Sequence, residues 1–189
     1  MVNFDLEKKS SIKNIIMIGV DEAGRGSWAG PLVATASWID FKDYKSLHKE
    51  INDSKKLKTN KRKEIILSLN NSVKYCSSIS SEREIDFYGL TFANTLAMKR
   101  SIFSLLEILS HSTFNKDYKF QIFIDGMYKP NFLDFDKSLK IKKLNLISNH
   151  TIPIVKGDSK SKTIALASII AKETRDNIMR QHSKKYPNY

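Results

Sequence analysis

The sequence predicts an α/β protein, a mixed central β-sheet flanked by helices in a single domain. Three observations carry that expectation. Short apolar, β-branched runs such as Ile15–Val20 and Phe120–Ile124 have the length and composition of strands. Two longer stretches, Phe92–Leu109 and Thr163–Lys185, have helical length, with apolar residues recurring at helical spacing. Strands come first and helices alternate with them later, the order of an α/β layer.

Residues 1–13 read as a polar tail ahead of one domain over residues 14–189, with no repeat, no Pro- or Gly-rich linker and no break in composition. Ile15–Val20 reads as a buried strand that stops at Asp21-Glu22-Ala23-Gly24. A Gly-punctuated loop runs to Pro31, and Leu32–Ile39 alternates loosely like a returning strand. Thr59 is placed to cap a short helix through Leu69, and Val73–Ile79 reads as another strand. In Phe92–Leu109 the apolar spacing falls on Leu96, Phe103 and Leu106, with charges between. Phe120–Ile124 is a compact strand ending at Asp125-Gly126. Residues 128–150 show no single period, and Lys140–Ile147 fits either a strand or an exposed basic ribbon. Ile152–Val155 is a short strand, and Ile164, Ala167, Ala171 and Ile178 line one face of the last helix.

A chain of 189 residues, 41% hydrophobic and 28% charged, can bury a core without a disulfide scaffold. Lys and Arg total 32 against 20 Asp and Glu, a net charge of +12. Such a balance favours a polyanionic partner, nucleic acid or an anionic membrane surface. The longest apolar runs, such as Asn14–Val20, fall far short of the roughly 20 residues a membrane span needs. Met1–Lys9 lacks the basic-then-apolar order of a secretory signal. The single cysteine, Cys76, excludes an intrachain disulfide, fits a reducing compartment, and reads as packing. The expectation is a cytoplasmic, basic monomer with no membrane partner.

Three places share one grammar, an apolar strand ending in a carboxylate with glycine beside it: Val20-Asp21-Glu22-Ala23-Gly24, Ile124-Asp125-Gly126 and Val155-Lys156-Gly157-Asp158. Each aspartate alone reads as a turn cap. Together they point to a site, because ligands of open α/β sheets gather at strand ends. Carboxylates collected there repel one another unless a cation neutralises them, and hard oxygen ligands suit Mg²⁺ or Mn²⁺. A basic protein with a carboxylate-bound metal is the expected make-up of a nucleic-acid phosphodiesterase. Neighbouring strand residues point to opposite faces, so Asp21 and Glu22 are expected to share the site only through a strand break, which Ala23-Gly24 would supply.

Gly24-Arg25-Gly26 follows directly. Two glycines allow close backbone approach to a ligand, and Arg25 adds a planar donor set suited to phosphate or ribose oxygens. The basic run around Lys55 and Lys56 is expected to contact phosphates, whereas Lys137–Lys143 is read as solvated surface. His48, His111, His150 and His182 show no metal-ligand spacing, and there is neither a serine-nucleophile elbow nor a Walker-type phosphate loop.

These residues resemble bacterial ribonuclease HII, the type 2 ribonuclease H family. The resemblance opens with Ile18-Gly19-Val20-Asp21-Glu22-Ala23-Gly24-Arg25-Gly26 and Ala29-Gly30-Pro31. It continues in order through Asp53-Ser54-Lys55-Lys56-Leu57, Glu84-Ile85-Asp86, Thr95-Leu96-Ala97-Met98 and Ile124-Asp125-Gly126. It closes with Lys156-Gly157-Asp158-Ser159, Ala167-Ser168-Ile169-Ile170-Ala171-Lys172 and Thr174-Arg175-Asp176, ending at Met179. The resemblance implies an RNase H-like fold and endonucleolytic cleavage of RNA in RNA–DNA hybrids, including ribonucleotides embedded in duplex DNA. It implies dependence on a divalent metal, Mn²⁺ or Mg²⁺, with Asp21, Glu22 and Asp125 as the usual ligands. Asp158 is the fourth acidic member, and its place just before the last helix suits it to bind the metal facing the leaving group. It makes Gly24-Arg25-Gly26 the reader of the ribonucleotide 2′-hydroxyl.

The family pattern continues past Tyr186-Pro187-Asn188-Tyr189 with a His-Lys-Gly-Tyr stretch and a final helix. Its tyrosine stacks near the ribonucleotide–DNA junction, and neither Tyr186 nor Tyr189 aligns with it. Ser27 and bulky Trp28 also depart from the pattern, and the N-terminal extension of ribonuclease HIII is not present in these residues. Two rival readings differ in substrate or chemistry: another RNase H-fold nuclease acting on DNA alone, and a non-catalytic nucleic-acid binder.

Overall fold

β1 (Ile15–Ala23) is the strand around which everything else is arranged. The structure is a computed structural model and describes residues 5–12, 15–40, 47, 50–51, 57–112, 119–132 and 149–187. β2 (Leu32–Ile39), β3 (Val73–Ser80), β4 (Lys119–Asp125) and β5 (Thr151–Ile154) complete a five-stranded sheet in the order β3-β2-β1-β4-β5. β1 pairs antiparallel with β2, and β2 with β3, while β4 pairs parallel with β1 and with β5. The sheet is therefore mixed, as the order of elements predicts. A central strand covered on both faces must be apolar on both, which is why Ile16 through Val20 is a continuous buried run.

Among the described residues five α-helices accompany the sheet: α1 (Asp5–Ile12), α2 (Thr59–Leu67), α3 (Glu82–Tyr88), α4 (Leu90–Ser112) and α5 (Lys162–Lys185). On one face, Ile16, Ile18, Val20, Ile122 and Ile124 pack against Ala97, Met98, Ile102, Leu105 and Leu109 of α4. On the other, Met17 and Phe123 meet Ile164 of α5. A neighbouring cluster joins Ile39, Ile65 and Val73 to Ala165, Leu166, Ile169 and Ile170.

Several elements differ from the sequence expectation. Thr59 is the first residue of α2, not its cap: Lys58 holds the cap position without a side-chain bond, and the Thr59 hydroxyl accepts from Arg62 instead. The buried ridge of α4 is Ala97, Met98, Ile102, Leu105 and Leu109, with Phe103 and Leu106 only partly buried at its flank. On α5 the stripe expected through Ile164, Ala167 and Ala171 becomes burial all round, from Lys162 to Ala171. That helix lies between the sheet and α2, so it has no solvent face there. Even the Lys162 ammonium donates to the Ile51 carbonyl, and burial holds its pKa below the usual lysine value. Lys140–Ile147 lies outside the described residues.

The largest correction is at the start, where residues 5–12 of the expected polar tail form α1. The helix packs on β1 and carries Glu7, which is buried. Its Oε1 accepts from the Thr163 N–H at 2.9 Å, the Thr163 hydroxyl at 2.9 Å and the Ser161 hydroxyl at 2.7 Å. Glu7 thus caps the first turn of α5 from outside that helix, satisfying an N–H that has no partner within the helix. Glu7→Ala is expected to cost about 2 kcal/mol, because it leaves three buried donors without their acceptor. Glu7→Gln, which retains an acceptor oxygen, costs less. Urea unfolding of the two variants beside wild type measures both values, and equal stability of all three would exclude the cap.

Candidate active site

The parallel register of β1 and β4 pairs Val20 with Ile124, so the residues that follow are Asp21 and Asp125, side by side at the end of the sheet. Asp21 is only 5% exposed. Its Oδ1 accepts from the Glu22 N–H at 2.7 Å, and its carboxylate also bonds with Ser168 of α5. Asp125 Oδ1 accepts from the Gly157 N–H at 2.6 Å, tying β4 to the 3-10 turn Gly157–Ser159 that precedes α5. Burial, then the charge of Glu22, then that of Asp125, push the Asp21 carboxyl well above the ordinary carboxylate range. The Ser168 and Glu22 hydrogen bonds oppose this shift and do not overcome it.

The expected strand break between Asp21 and Glu22 is absent. β1 runs through both residues to Ala23, pairing Asp21 with Thr35 and Glu22 with Ala34. Asp21 therefore lies on the face of Gly19, against α5, and Glu22 on the face of Val20, against α4. The two meet around the strand's end and not across a break, and Glu22 remains the largest charge contribution to Asp21.

Beside Glu22 the sheet end opens into a cleft of about 660 Å³. Glu22, Ile124 and Asp125 form its floor, Thr91, Asn94, Thr95 and Met98 of α4 one wall, and the segment after Asp125 the other. The α4 residues recur at spacings of three and four, one face of a helix.

Arg25 lines the same cleft, carried on a loop whose shape explains one glycine of Gly24-Arg25-Gly26 and leaves the other unexplained by packing. Gly24 sits at φ 107°, and a Cβ there would lie 2.6 Å from Arg175 Nε and 2.7 Å from the Pro31 carbonyl oxygen. Around Gly26 nothing stands within 4 Å of a Cβ position. Arg175 of α5 holds the loop from within, donating to the Pro31 carbonyl at 3.0 Å and to the Ala29 carbonyl at 2.7 Å.

Asp158 is buried in the 3-10 turn, one residue after the Gly157 N–H that Asp125 accepts. It neither lines the cleft nor contributes to the Asp21 shift. Lys156, at φ 54°, turns the chain into this segment. Lys55 and Lys56 lie outside the described residues. Cys76 packs half-buried against the α4 side of the core, and burial raises its thiol pKa. Sequence reasoning missed the roles of Ser168, Arg175 and Asn94, and missed α3 altogether. Its one local signal is Ser81-Glu82-Arg83-Glu84, a capping box in which Ser81 and Glu84 satisfy each other's backbone N–H groups.

Among the described residues, no three His, Cys, Asp or Glu side chains form a ready-made metal cage. Asp21, Glu22 and Asp125 nonetheless fit a hard divalent cation: all donors are oxygens, and after burial it is the charges of Glu22 and Asp125 that raise the Asp21 pKa, a repulsion that a cation would relieve. Mg²⁺-type sites use one or two carboxylates and complete their shell with water and substrate phosphate, so a closed cage is not required.

The family model for ribonuclease HII matches residues 18–189. A ribonuclease HII of Fusobacterium nucleatum is 38% identical over 186 residues, covering 98% of this chain and 74% of its own. That of Pseudothermotoga lettingae is 39% identical, covering 92% and 63%, and that of Clostridium perfringens 37%, covering 90% and 54%. This chain thus spans between about half and three quarters of the length of these relatives. Among solved structures, the ribonuclease H2 from Pyrococcus horikoshii OT3 superposes with a TM-score of 0.67 at 26% identity, over 92% of this chain and 78% of that one. Bst-RNase HIII, solved in complex with Mn²⁺, shares the fold with a TM-score of 0.68 at 21% identity, over 91% and 55%. With a mixed sheet of the RNase H type, carboxylates gathered at its central strand ends and a family match over nearly the whole chain, this protein belongs to the ribonuclease HII family.

Proposed function

We propose that this protein is an endoribonuclease that cleaves the RNA strand of RNA–DNA hybrids and ribonucleotides embedded in duplex DNA. The reaction is divalent-metal-assisted phosphodiester hydrolysis, leaving 3′-hydroxyl and 5′-phosphate ends. The observation that supports it most is the mutual charge of Asp21, Glu22 and Asp125, with Glu22 and Asp125 on the floor of a cleft, in a chain carrying +12 overall. An anionic substrate is drawn by the net charge, yet the carboxylates repel its phosphate unless cations lie between them.

Asp21, Glu22 and Asp125 would hold the ions, and Asp158, in the 3-10 turn whose Gly157 N–H bonds Asp125, would be the fourth acidic ligand. Mn²⁺ or Mg²⁺ bound there supplies neutralisation of the scissile phosphate and activation of the attacking water. The chain's own residues orient this set. Ser168 fixes the Asp21 carboxylate, and the Gly157 N–H fixes that of Asp125. Arg175 holds the loop so that Arg25 reaches the cleft and the bare backbone at Gly26 can approach a ribose 2′-hydroxyl. Lys55 and Lys56 are proposed phosphate contacts outside the described residues.

A duplex with one embedded ribonucleotide, an RNA–DNA hybrid and an all-DNA duplex, each tried with Mg²⁺, Mn²⁺ and EDTA, test the reading. Cleavage of the first two with metal, and of none in EDTA, is expected. Cleavage of the all-DNA duplex would favour a DNA nuclease, and binding without cleavage under any metal would leave a nucleic-acid binder.

A further inference from the structure

The wall that α3 and α4 give to the cleft is chemically unlike the carboxylate floor. Tyr88 ends α3, and Gly89, at φ 79°, turns the chain into α4. The turn lays the Tyr88 ring on Phe92, with centroids 5.0 Å apart and planes 26° from parallel. Phe87 meets the Tyr88 ring edge-on at 4.8 Å. A pair needed only for packing would be buried, yet Tyr88 is 48% exposed and belongs to none of the core clusters. Tyr128, 81% exposed, stands in the opposite wall. Asn94 lines the same cleft at only 6% exposure, and among the described residues its Oδ1 accepts no hydrogen bond. A buried acceptor left without a donor destabilises the free protein, and a ligand that supplies the donor accounts for its retention.

We propose that this wall is a nucleoside subsite: Tyr88, braced by Phe92, stacks on a nucleoside of the bound strand, and Asn94 Oδ1 accepts a hydrogen bond from a hydroxyl or amino group of that strand. The proposal rests on the nuclease reading for the identity of the occupant as nucleic acid. Three features favour that occupant over an apolar protein surface. The wall is continuous with Glu22 and Asp125, two cations (Arg25 and Lys129) line the same cleft, and the buried acceptor calls for a polar ligand. The volume of about 660 Å³ suits a nucleotide-sized group. Every base offers a π-face, so a stacking wall tolerates any sequence.

The test is equilibrium binding of a fluorescent RNA–DNA hybrid in EDTA, run beside single-turnover cleavage with metal, thermal melting and sedimentation. Tyr88→Ala is expected to weaken binding by about 5- to 150-fold, the measured range for loss of one base-stacking contact. Tyr88→Phe, which keeps the ring, recovers it. Asn94→Leu is expected to bind more weakly while melting at the same or a higher temperature, since it removes an orphan acceptor at similar volume. Unchanged binding by Tyr88→Ala overturns the subsite, and so does a change in sedimentation alone, which would make the wall a contact between copies. A lower melting temperature for Asn94→Leu, or unchanged binding, assigns Asn94 to the fold and removes it from the subsite. The two readings fail separately. A wild type that binds the hybrid without cleaving it, with Tyr88→Ala still weaker, sinks the nuclease reading alone. Normal cleavage with an indifferent Tyr88→Ala sinks the subsite alone.

Discussion

Asp21→Asn and Asp125→Asn each abolish cleavage, and Asp21→Asn leaves the metal-free protein at least as stable as wild type. The loss of activity should exceed the roughly 10- to 100-fold that removal of a ligand's outer partner costs, because here a ligand charge itself disappears. Stability moves the other way. The folded-state pKa of Asp21 is raised by burial, by Glu22 and by Asp125. In the unfolded chain it returns to about 3.9. Between those two values the folded state keeps a proton that the unfolded state has lost. Stability therefore falls as pH rises through that window, and the full cost is present above the folded pKa. Asparagine carries no charge at any pH in this range, so the variant escapes the cost. Asp125→Asn keeps an oxygen to accept from the Gly157 N–H, so the 3-10 turn is retained and the variant folds. Single-turnover cleavage gives the first result. Urea unfolding in EDTA from pH 4 to pH 8 gives the second, as a wild-type stability that declines with pH relative to Asp21→Asn. Near-native cleavage would strike the substituted residue from the site. A variant less stable than wild type at pH 8 would show that hydrogen bonding, not burial and repulsion, governs Asp21.

What was legible in the sequence was what local rules decide. The strand-carboxylate-glycine grammar picks out Asp21 and Asp125, which the structure sets side by side, and Asp158, which it leaves off the cleft. The apolar and alternating runs mark the five described strands, because both signals lie within a few consecutive residues. The break expected at Asp21-Glu22 does not occur, because the two carboxylates need not share one face of the strand. A site at a strand end can be approached from either face, and only the pairing of β1 with β4 shows this. α1 escaped because its residues are polar, and the reason for the helix is Glu7 meeting Thr163, 156 positions away. Arg175 was visible within a motif but not as the support of the Gly24–Pro31 loop, since its partners are backbone carbonyls that carry no residue signature. Tyr88 and Asn94 were missed because their meaning depends on a turn between two helices that the apolar spacing of Phe92–Leu109 does not encode.

Gly19→Ala is expected to be the most damaging single-methyl change in the described structure. Gly19 sits mid-strand in β1, opposite Ser37 of β2 and Phe123 of β4, where its face meets the first turn of α5. A Cβ there would lie 2.6 Å from Ile164 N, 2.6 Å from the Thr163 carbonyl carbon and 3.0 Å from Ile164 Cα. All three are backbone atoms, so no rotamer change relieves the overlap and the helix itself must move. It is held on several sides: the Ser37 hydroxyl donates to the Thr163 carbonyl at 2.7 Å, Glu7 accepts from the Thr163 N–H, and the Ser161 side chain caps Ile164. Overpacking a core costs about 1–3 kcal/mol where side chains can adjust. Here the cost is about 3 kcal/mol or more, a fall in melting temperature of roughly 6–12 °C for a chain of this size. Function follows the helix. Ser168, one turn beyond Ile164, bonds to Asp21, two residues along β1 from Gly19 on the same face, so lifting α5 releases the central carboxylate. Gly26→Ala is the control, because nothing lies within 4 Å of its Cβ position and its stability should stay within about 0.5 kcal/mol of wild type. Scanning calorimetry of both variants separates them. A Gly19→Ala protein melting within about 2 °C of wild type, less than 1 kcal/mol by the same scaling, would mean that α5 does not rest on β1 at this position.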